Sequence, residues 1–222
     1  MKTIAINGSP RKSWNTATML QKALDGAQSK GSETKLVHLY DLNYKGCISC
    51  FACKRKDSKF IGHCAMRDDL TDVLEEIISA DVLLVGSPIY LGDITGAARS
   101  FLERLVFMNL SYGRPGESAQ GHGSNFNGKI NTGFIYTMNI PAERVGPVGY
   151  QYNFDLHKRY LGLLNGEVKS LIVPDTYQFD DYQKYDALHF DERHKAKVKE
   201  EQFPVYCQQA FDLGAELASL NV

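Results

Sequence analysis

The chain has 222 residues, 43% of them hydrophobic and 23% charged, with a formal net charge of −1. That length and composition suit one α/β domain with some embellishment and a normal buried core, and they exclude a disordered chain. Near-neutral charge gives no electrostatic ground for a nucleic-acid or anionic-membrane partner, and no apolar run approaches the roughly 20 residues needed to span a bilayer.

In chain order, Met1 to Pro10 has a short apolar centre and no small-residue cleavage pattern, so it reads as a strand entering a turn rather than a signal peptide, with the cytoplasm as the expected location. Ile4-Ala5-Ile6 is the first strand. From Thr16 to Ser29, Ala17, Leu20, Ala23, Leu24 and Ala27 recur at helical spacing. Lys35 to Leu39 alternates as a strand, Leu70 to Ser79 is helical with Asp68 or Asp69 as its cap, and Asp81 to Gly86 is continuously apolar, as a central parallel strand should be. A helix over Gly96 to Val106, strands at Thr132 to Tyr136 and Val168 to Val173, and a final helical stretch from Asp191 to Leu220 bent near Pro204 complete the series. The alternation predicts a three-layer, doubly wound, five-stranded parallel sheet, as a single domain over residues 1–222 with inserted loops at about 44–67 and 109–131. The segments Asn109 to Lys129 and Asn139 to Tyr152 are rich in Gly, Ser, Asn or Pro and are expected to be loops bordering a site or an interface.

Ligands of such sheets sit at the carboxyl ends of the strands. The first strand ends in Gly8-Ser9-Pro10-Arg11-Lys12-Ser13-Trp14-Asn15-Thr16, where backbone N–H groups, the hydroxyls of Ser9, Ser13 and Thr16, the helix dipole and the Arg11 cation together favour a phosphate monoester. Neither Gly-x-x-x-x-Gly-Lys-Ser/Thr nor Gly-x-Gly-x-x-Gly occurs here; the bland alternative is an ordinary strand-to-helix turn. Pro88-Ile89-Tyr90-Leu91-Gly92-Asp93, after the third strand, offers an apolar and aromatic surface with a glycine for close backbone approach. Thr137 and Met138, after the fourth strand, are candidates by position alone.

Gly8-Ser9-Pro10-Arg11 with Asn15-Thr16, then Gly86 to Asp93, then Cys47-x-x-Cys50-x-x-Cys53 leading to Asp68-Asp69, resemble the flavodoxin-like NAD(P)H-dependent FMN reductase and iron–sulfur flavoprotein family, most clearly through residue 107. The resemblance implies a flavodoxin-like fold and one FMN, its phosphate held by Ser9, Arg11, Ser13, Asn15 and Thr16 and its ring by Pro88, Ile89, Tyr90, Leu91, Gly92 and Asp93. It implies flavin-borne chemistry with no dedicated acid–base residue, a nicotinamide (NADPH or NADH) as donor, a small acceptor such as a quinone or free flavin, and a homodimer or homotetramer. A non-enzymatic electron-transfer flavoprotein is the alternative.

Cys47, Cys50, Cys53 and Cys64 resemble the compact cysteine motif that binds a [4Fe–4S] cluster in iron–sulfur flavoproteins, and the same four ligands would serve zinc. Ten residues separate Cys53 from Cys64, more than the short gap of cluster-binding members, and the balance falls against a cluster. A redox disulfide within the group stays open. The six scattered histidines form no zincin motif, Trp14 is read as packing, and Asp191 to Lys195 is read as the solvated start of a helix.

Overall fold

The computed structural model describes residues 1–115 and 122–220. Five parallel strands lie in the order β2-β1-β3-β7-β8: β1 (Lys2–Asn7), β2 (Glu33–His38), β3 (Val82–Tyr90), β7 (Ile130–Thr137) and β8 (Asn165–Val173). This is the flavodoxin-like order, with the direction of winding reversing between β1 and β3.

Strand parity explains the three layers, because successive side chains leave opposite faces of a sheet. Ile4, Ile6, Leu83, Val85, Phe134 and Tyr136 join one core cluster with residues of α2 (Leu70–Ile78), α3 (Gly96–Asn109) and α5 (Gln151–Leu161). Ala5, Val82, Leu84 and Ile135 join a second with residues of α1 (Asn15–Ser29) and α7 (Phe203–Ser219). Both faces of the central strands are covered, which is why they read as unbroken apolar runs. The N-terminal end of α2 is met by Asp68, whose carboxylate accepts from the Leu70 N–H at 3.2 Å, whereas the Asp69 side chain makes no capping bond. The last helical stretch divides at Gln202 into α6 (Glu192–Glu201) and α7, with Pro204 in the first turn of α7 where its missing N–H costs nothing.

Three expectations need correction. The third strand does not stop at Gly86: it continues to Tyr90 and turns back through β4 (Asp93–Ile94), pairing Ile89 with Ile94 and Tyr90 with Asp93. Leu91 and Gly92 at the tip have φ of 52° and 91°, the left-handed pair of a two-residue hairpin. The segment expected as a loop from Asn109 to Lys129 contains an antiparallel pair, β5 (Leu110–Pro115) and β6 (His122–Ser124), with residues 116–121 outside the described residues. The segment from Asn139 to Tyr152 holds the short helix α4 (Ala142–Val145) and the start of α5. No helix among the described residues is long and apolar enough to cross a membrane.

Candidate cofactor-binding site

A cleft opens at the carboxyl ends of β1, β3 and β7. Asn7, fully buried at the end of β1, accepts the Ser9 N–H at 3.0 Å through Oδ1, bending the chain into the loop. Gly8 donates to the Gly86 carbonyl at 2.8 Å, tying the loop to β3. A Cβ at Gly8 would lie 2.8 Å from that of Ala98, so only glycine fits this approach. The Ser9 hydroxyl accepts the Arg11 N–H at 3.1 Å. No side chain caps α1 and no acid sits in its first turn, so its positive end faces the cleft without an internal counter-charge. The hydroxyls of Thr16 and Thr137, both buried, meet at 2.7 Å and join the first turn of α1 to the end of β7.

Ser9, Arg11, Asn15 and Thr16 from the first loop, Pro88, Ile89 and Tyr90 from β3, and Thr137 and Met138 beyond β7 all line this one cleft. Ser13 is exposed and lies outside the lining, as do Leu91, Gly92 and Asp93 in the hairpin. The hairpin is braced from α5 by Asn153, whose Nδ2 donates to the Gly92 carbonyl at 3.0 Å; His157 Nε2 lies 3.4 Å from Asp93 Oδ1 without a hydrogen bond.

A fourth wall comes from Thr176 and Gln178, which carry no signal in the sequence, and Trp14 and Asn139, beside the expected loops, complete the lining. Arg11 donates to the Gln178 carbonyl at 2.5 Å, and Trp14 Nε1 and Asn15 Nδ2 reach the Tyr177 carbonyl at 3.3 and 2.9 Å. These contacts go to backbone oxygens, which leave no residue signature. Behind the wall, Lys195 is 3% exposed and pairs with Asp175 Oδ1 and the Asn139 carbonyl, while His194 Nε2 meets Asp175 Oδ2 at 2.6 Å. Burial alone would raise the Asp175 pKa; the Lys195 and His194 contacts outweigh it and hold the carboxyl below its usual range. The charged run at 191–195 is therefore not wholly solvated: Lys195 points inward.

The residues fit an FMN-like ligand. Buried hydroxyls and an uncapped helix start suit a phosphate, and the side-chain oxygens of Asn139 and Gln178 are buried without any hydrogen-bond partner. The cleft volume is about 130 Å³. Pockets for drug-sized ligands run to roughly 300–1,000 Å³, so the enclosed part of this cleft is smaller than a whole flavin nucleotide needs.

The four clustered cysteines surround a cavity of about 20 Å³, with Met66, Met108, Phe107 and Arg104. All are free thiols. The donor set is right for a metal–sulfur group, but the placement is not: among the described residues no three of His, Cys, Asp or Glu gather closely enough to hold a metal ion. Burial pushes the Cys53 thiol pKa up against the opposing charge of Lys54, so this thiol is not an activated one. Arg104, 1% exposed, gives Nη1 to both oxygens of Asp68 at 2.7 and 2.5 Å, and burial is outweighed by Asp68 and Cys64 in keeping it charged.

The profile of the NADPH-dependent FMN reductase family matches residues 1–134. The fold is flavodoxin-like and the chain belongs to that family, a family of flavin-dependent oxidoreductases. Among curated proteins it is similar to an iron–sulfur flavoprotein of Archaeoglobus fulgidus, 36% identical over 104 residues covering 47% of this chain and 48% of the relative. One from Methanocaldococcus jannaschii is 34% identical over 47% of this chain and 51% of the relative. The chain thus spans about half the length of these curated relatives. Among solved structures, the NAD(P)H:quinone oxidoreductase from Methanothermobacter marburgensis superposes with a TM-score of 0.70 over 98% of both chains at 14% identity. The azoreductase from Bacillus anthracis gives 0.65 over 97% of this chain and 99% of the other at 11% identity. Likeness at that identity speaks to the fold.

Proposed function

We propose that the cleft binds FMN and that the chain is an NAD(P)H-dependent oxidoreductase passing electrons to a small acceptor such as a quinone or free flavin. The observation that carries this is the convergence of the ends of β1, β3 and β7 on one cleft whose anion end is the uncapped start of α1. When bound, FMN accepts hydride from a nicotinamide and releases electrons singly or in pairs. Ser9, Asn15, Thr16 and the first-turn amides of α1 hold the phosphate, and Arg11 adds a positive field from the rim. Pro88, Ile89 and Tyr90 back the ring, and Leu91 and Gly92 border its outer edge. No side chain is assigned a proton-transfer role. Leu91, fully exposed at the hairpin tip, is an apolar surface that a second copy of this chain would cover in a homodimer or homotetramer.

Steady-state oxidation of NADPH and NADH by the FMN-loaded chain, with a quinone or free FMN as acceptor, tests the reading. Turnover with at least one pair is expected; no turnover with any pair, alongside rapid electron exchange with a protein partner, supports the carrier alternative instead.

A further inference from the structure

We propose that Cys64 is a modification site: a hydroperoxide oxidises its thiol to a sulfenic acid, whose oxygen is held by the buried guanidinium of Arg104. The site lies between the cysteine loop and α3, shares no lining residue with the cleft, and is independent of what the cleft binds.

Arg104 is 1% exposed, yet only one arm of its guanidinium is used. Nη1 donates to both oxygens of Asp68 at 2.7 and 2.5 Å and to the Lys45 carbonyl at 3.3 Å, while Nε and Nη2 are buried without a hydrogen-bond partner. Asp68 cannot serve them as well. Its Oδ1 also accepts the Leu70 N–H at 3.2 Å and its Oδ2 the Lys45 N–H at 3.4 Å, which fills the lone-pair sites of the carboxylate. Buried donors of a charged group are costly in that state and call for an acceptor.

The cysteines lie where that acceptor is missing. Arg104 lines one cavity with Cys47, Cys50, Cys53 and Cys64, and Cys64, after Asp68, helps to keep it charged against burial. A thiol sulfur is a weak acceptor, so contact with Cys64 leaves the two nitrogens unanswered. A sulfenic oxygen stands one bond beyond the sulfur and is a full acceptor. The cavity volume is about 20 Å³, and roughly 10–15 Å³ suffices for one oxygen-sized centre. A free water there would need polar partners on several sides. Apart from Arg104 and the thiols, the lining side chains are those of Ile48, Phe51, Ala65, Met66, Phe107 and Met108. An oxygen already bonded to sulfur needs only the guanidinium.

The neighbouring thiols suit the step less well. Burial pushes the Cys53 pKa up, and Cys50 is exposed, in the ordinary environment of a surface thiol. Cys64 is half-buried, open to a small peroxide and beside a fixed cation. Its sulfur lone pair attacks one peroxide oxygen, and the S–O bond forms as the O–O bond breaks. The thiol proton ends on the departing oxygen, which leaves as water or an alcohol. Sulfur loses two electrons and the peroxide gains two, which gives the first, reversible rung of cysteine oxidation. Arg104 stabilises the negative charge that develops on the oxygen it then holds.

The test exposes the 222-residue chain, with any flavin oxidised and no nicotinamide present, to hydrogen peroxide for varied times. Each sample is quenched with catalase into denaturant containing dimedone, and sulfenic acid at each cysteine is read by peptide mass spectrometry. Cys64 is expected to oxidise about tenfold faster than the more exposed Cys50, the scale of one charge-assisted hydrogen bond. Cys64 oxidising no faster than Cys50, the order that exposure alone dictates, overturns the assignment. Arg104→Met is expected to remove most of the lead of Cys64 while Cys50 oxidises as before, and Arg104→Lys to restore part of it. A folded Arg104→Met in which Cys64 keeps its full lead overturns the role of Arg104 and the site with it. Should Arg104→Met not fold, the order of Cys64 and Cys50 in the parent decides alone, with Cys64→Ser as the control for the labelled peptide.

Discussion

His157 lies on the inner face of α5, 1% exposed, stacked on Phe134 at 5.4 Å, with Nδ1 sharing a hydrogen bond of 3.2 Å with the Tyr136 hydroxyl. Burial lowers its pKa; Asp93 opposes that shift and Arg99 adds to it, and the net direction is down from 6.5. The unfolded chain therefore takes up a proton at this position at a higher pH than the folded chain does. Stability from this group is complete above about pH 6.5, the unfolded value, and falls as pH drops below it. Urea-unfolding free energies between pH 7.5 and 5.5 are expected to decline with acidification in the parent, with a shallower slope in His157→Gln. An unchanged slope would mean that His157 is not the group responsible. His157 lies beside Asp93 of the hairpin, yet nothing in a lone histidine between Leu156 and Lys158 announced that position. Lys195 was equally hidden, since a lysine within a charged run has the composition of a solvated face. By contrast Ser9, Asn15 and Thr16 were readable as cleft-lining residues, because they fall in the turn at the carboxyl end of the first strand, where ligands of such sheets sit.

At the level of elements, α1 and α7 pack so closely that their backbones nearly touch. A Cβ at Gly26 would fall 1.9 Å from the Phe211 carbonyl oxygen, and one at Gly214 would fall 1.8 Å from that of Ala23. Both obstacles are backbone atoms of rigid helices, so the pair must separate to admit a methyl group. Gly26→Ala is expected to cost about 1–3 kcal/mol or more, despite the better helix propensity of alanine. Gly162→Ala, where the added atom meets nothing within 4 Å, is expected to stay within about 0.5 kcal/mol of the parent. Equal effects at the two positions in denaturant melts would contradict the close crossing. The five strands and α1, α2 and α3 were legible because period-two and period-3.6 patterns follow directly from burial on one or both faces. Helix α5 was not: Phe154, His157 and Leu161 do fall at helical spacing, but the intervening residues are polar and the flanking glycines resemble a loop. The hairpin at Leu91-Gly92 escaped because its first turn residue is not the asparagine or aspartate that usually marks such turns.

Over the whole molecule, the loop after β1 and the hairpin after β3 are built from distant parts of the chain held by one sheet. The residues matched by the family profile, 1–134, supply the loop after β1 and the hairpin after β3. The ends of β7 and β8, the wall from Asp175 to Gln178, and its anchor in α6 lie beyond that match. The first half was therefore recognisable from motifs, while the second half contributes through carbonyls and one buried ion pair and became visible only in three dimensions. A fluorescence titration of FMN with the flavin-free chain asks whether this cleft binds FMN. Saturable quenching with one FMN per chain, weakened severalfold when Thr16→Val removes a hydroxyl from the anion end, is the expected result. Absence of saturable quenching, or saturation unaffected by changes at Ser9, Asn15 and Thr16 alike, would contradict it.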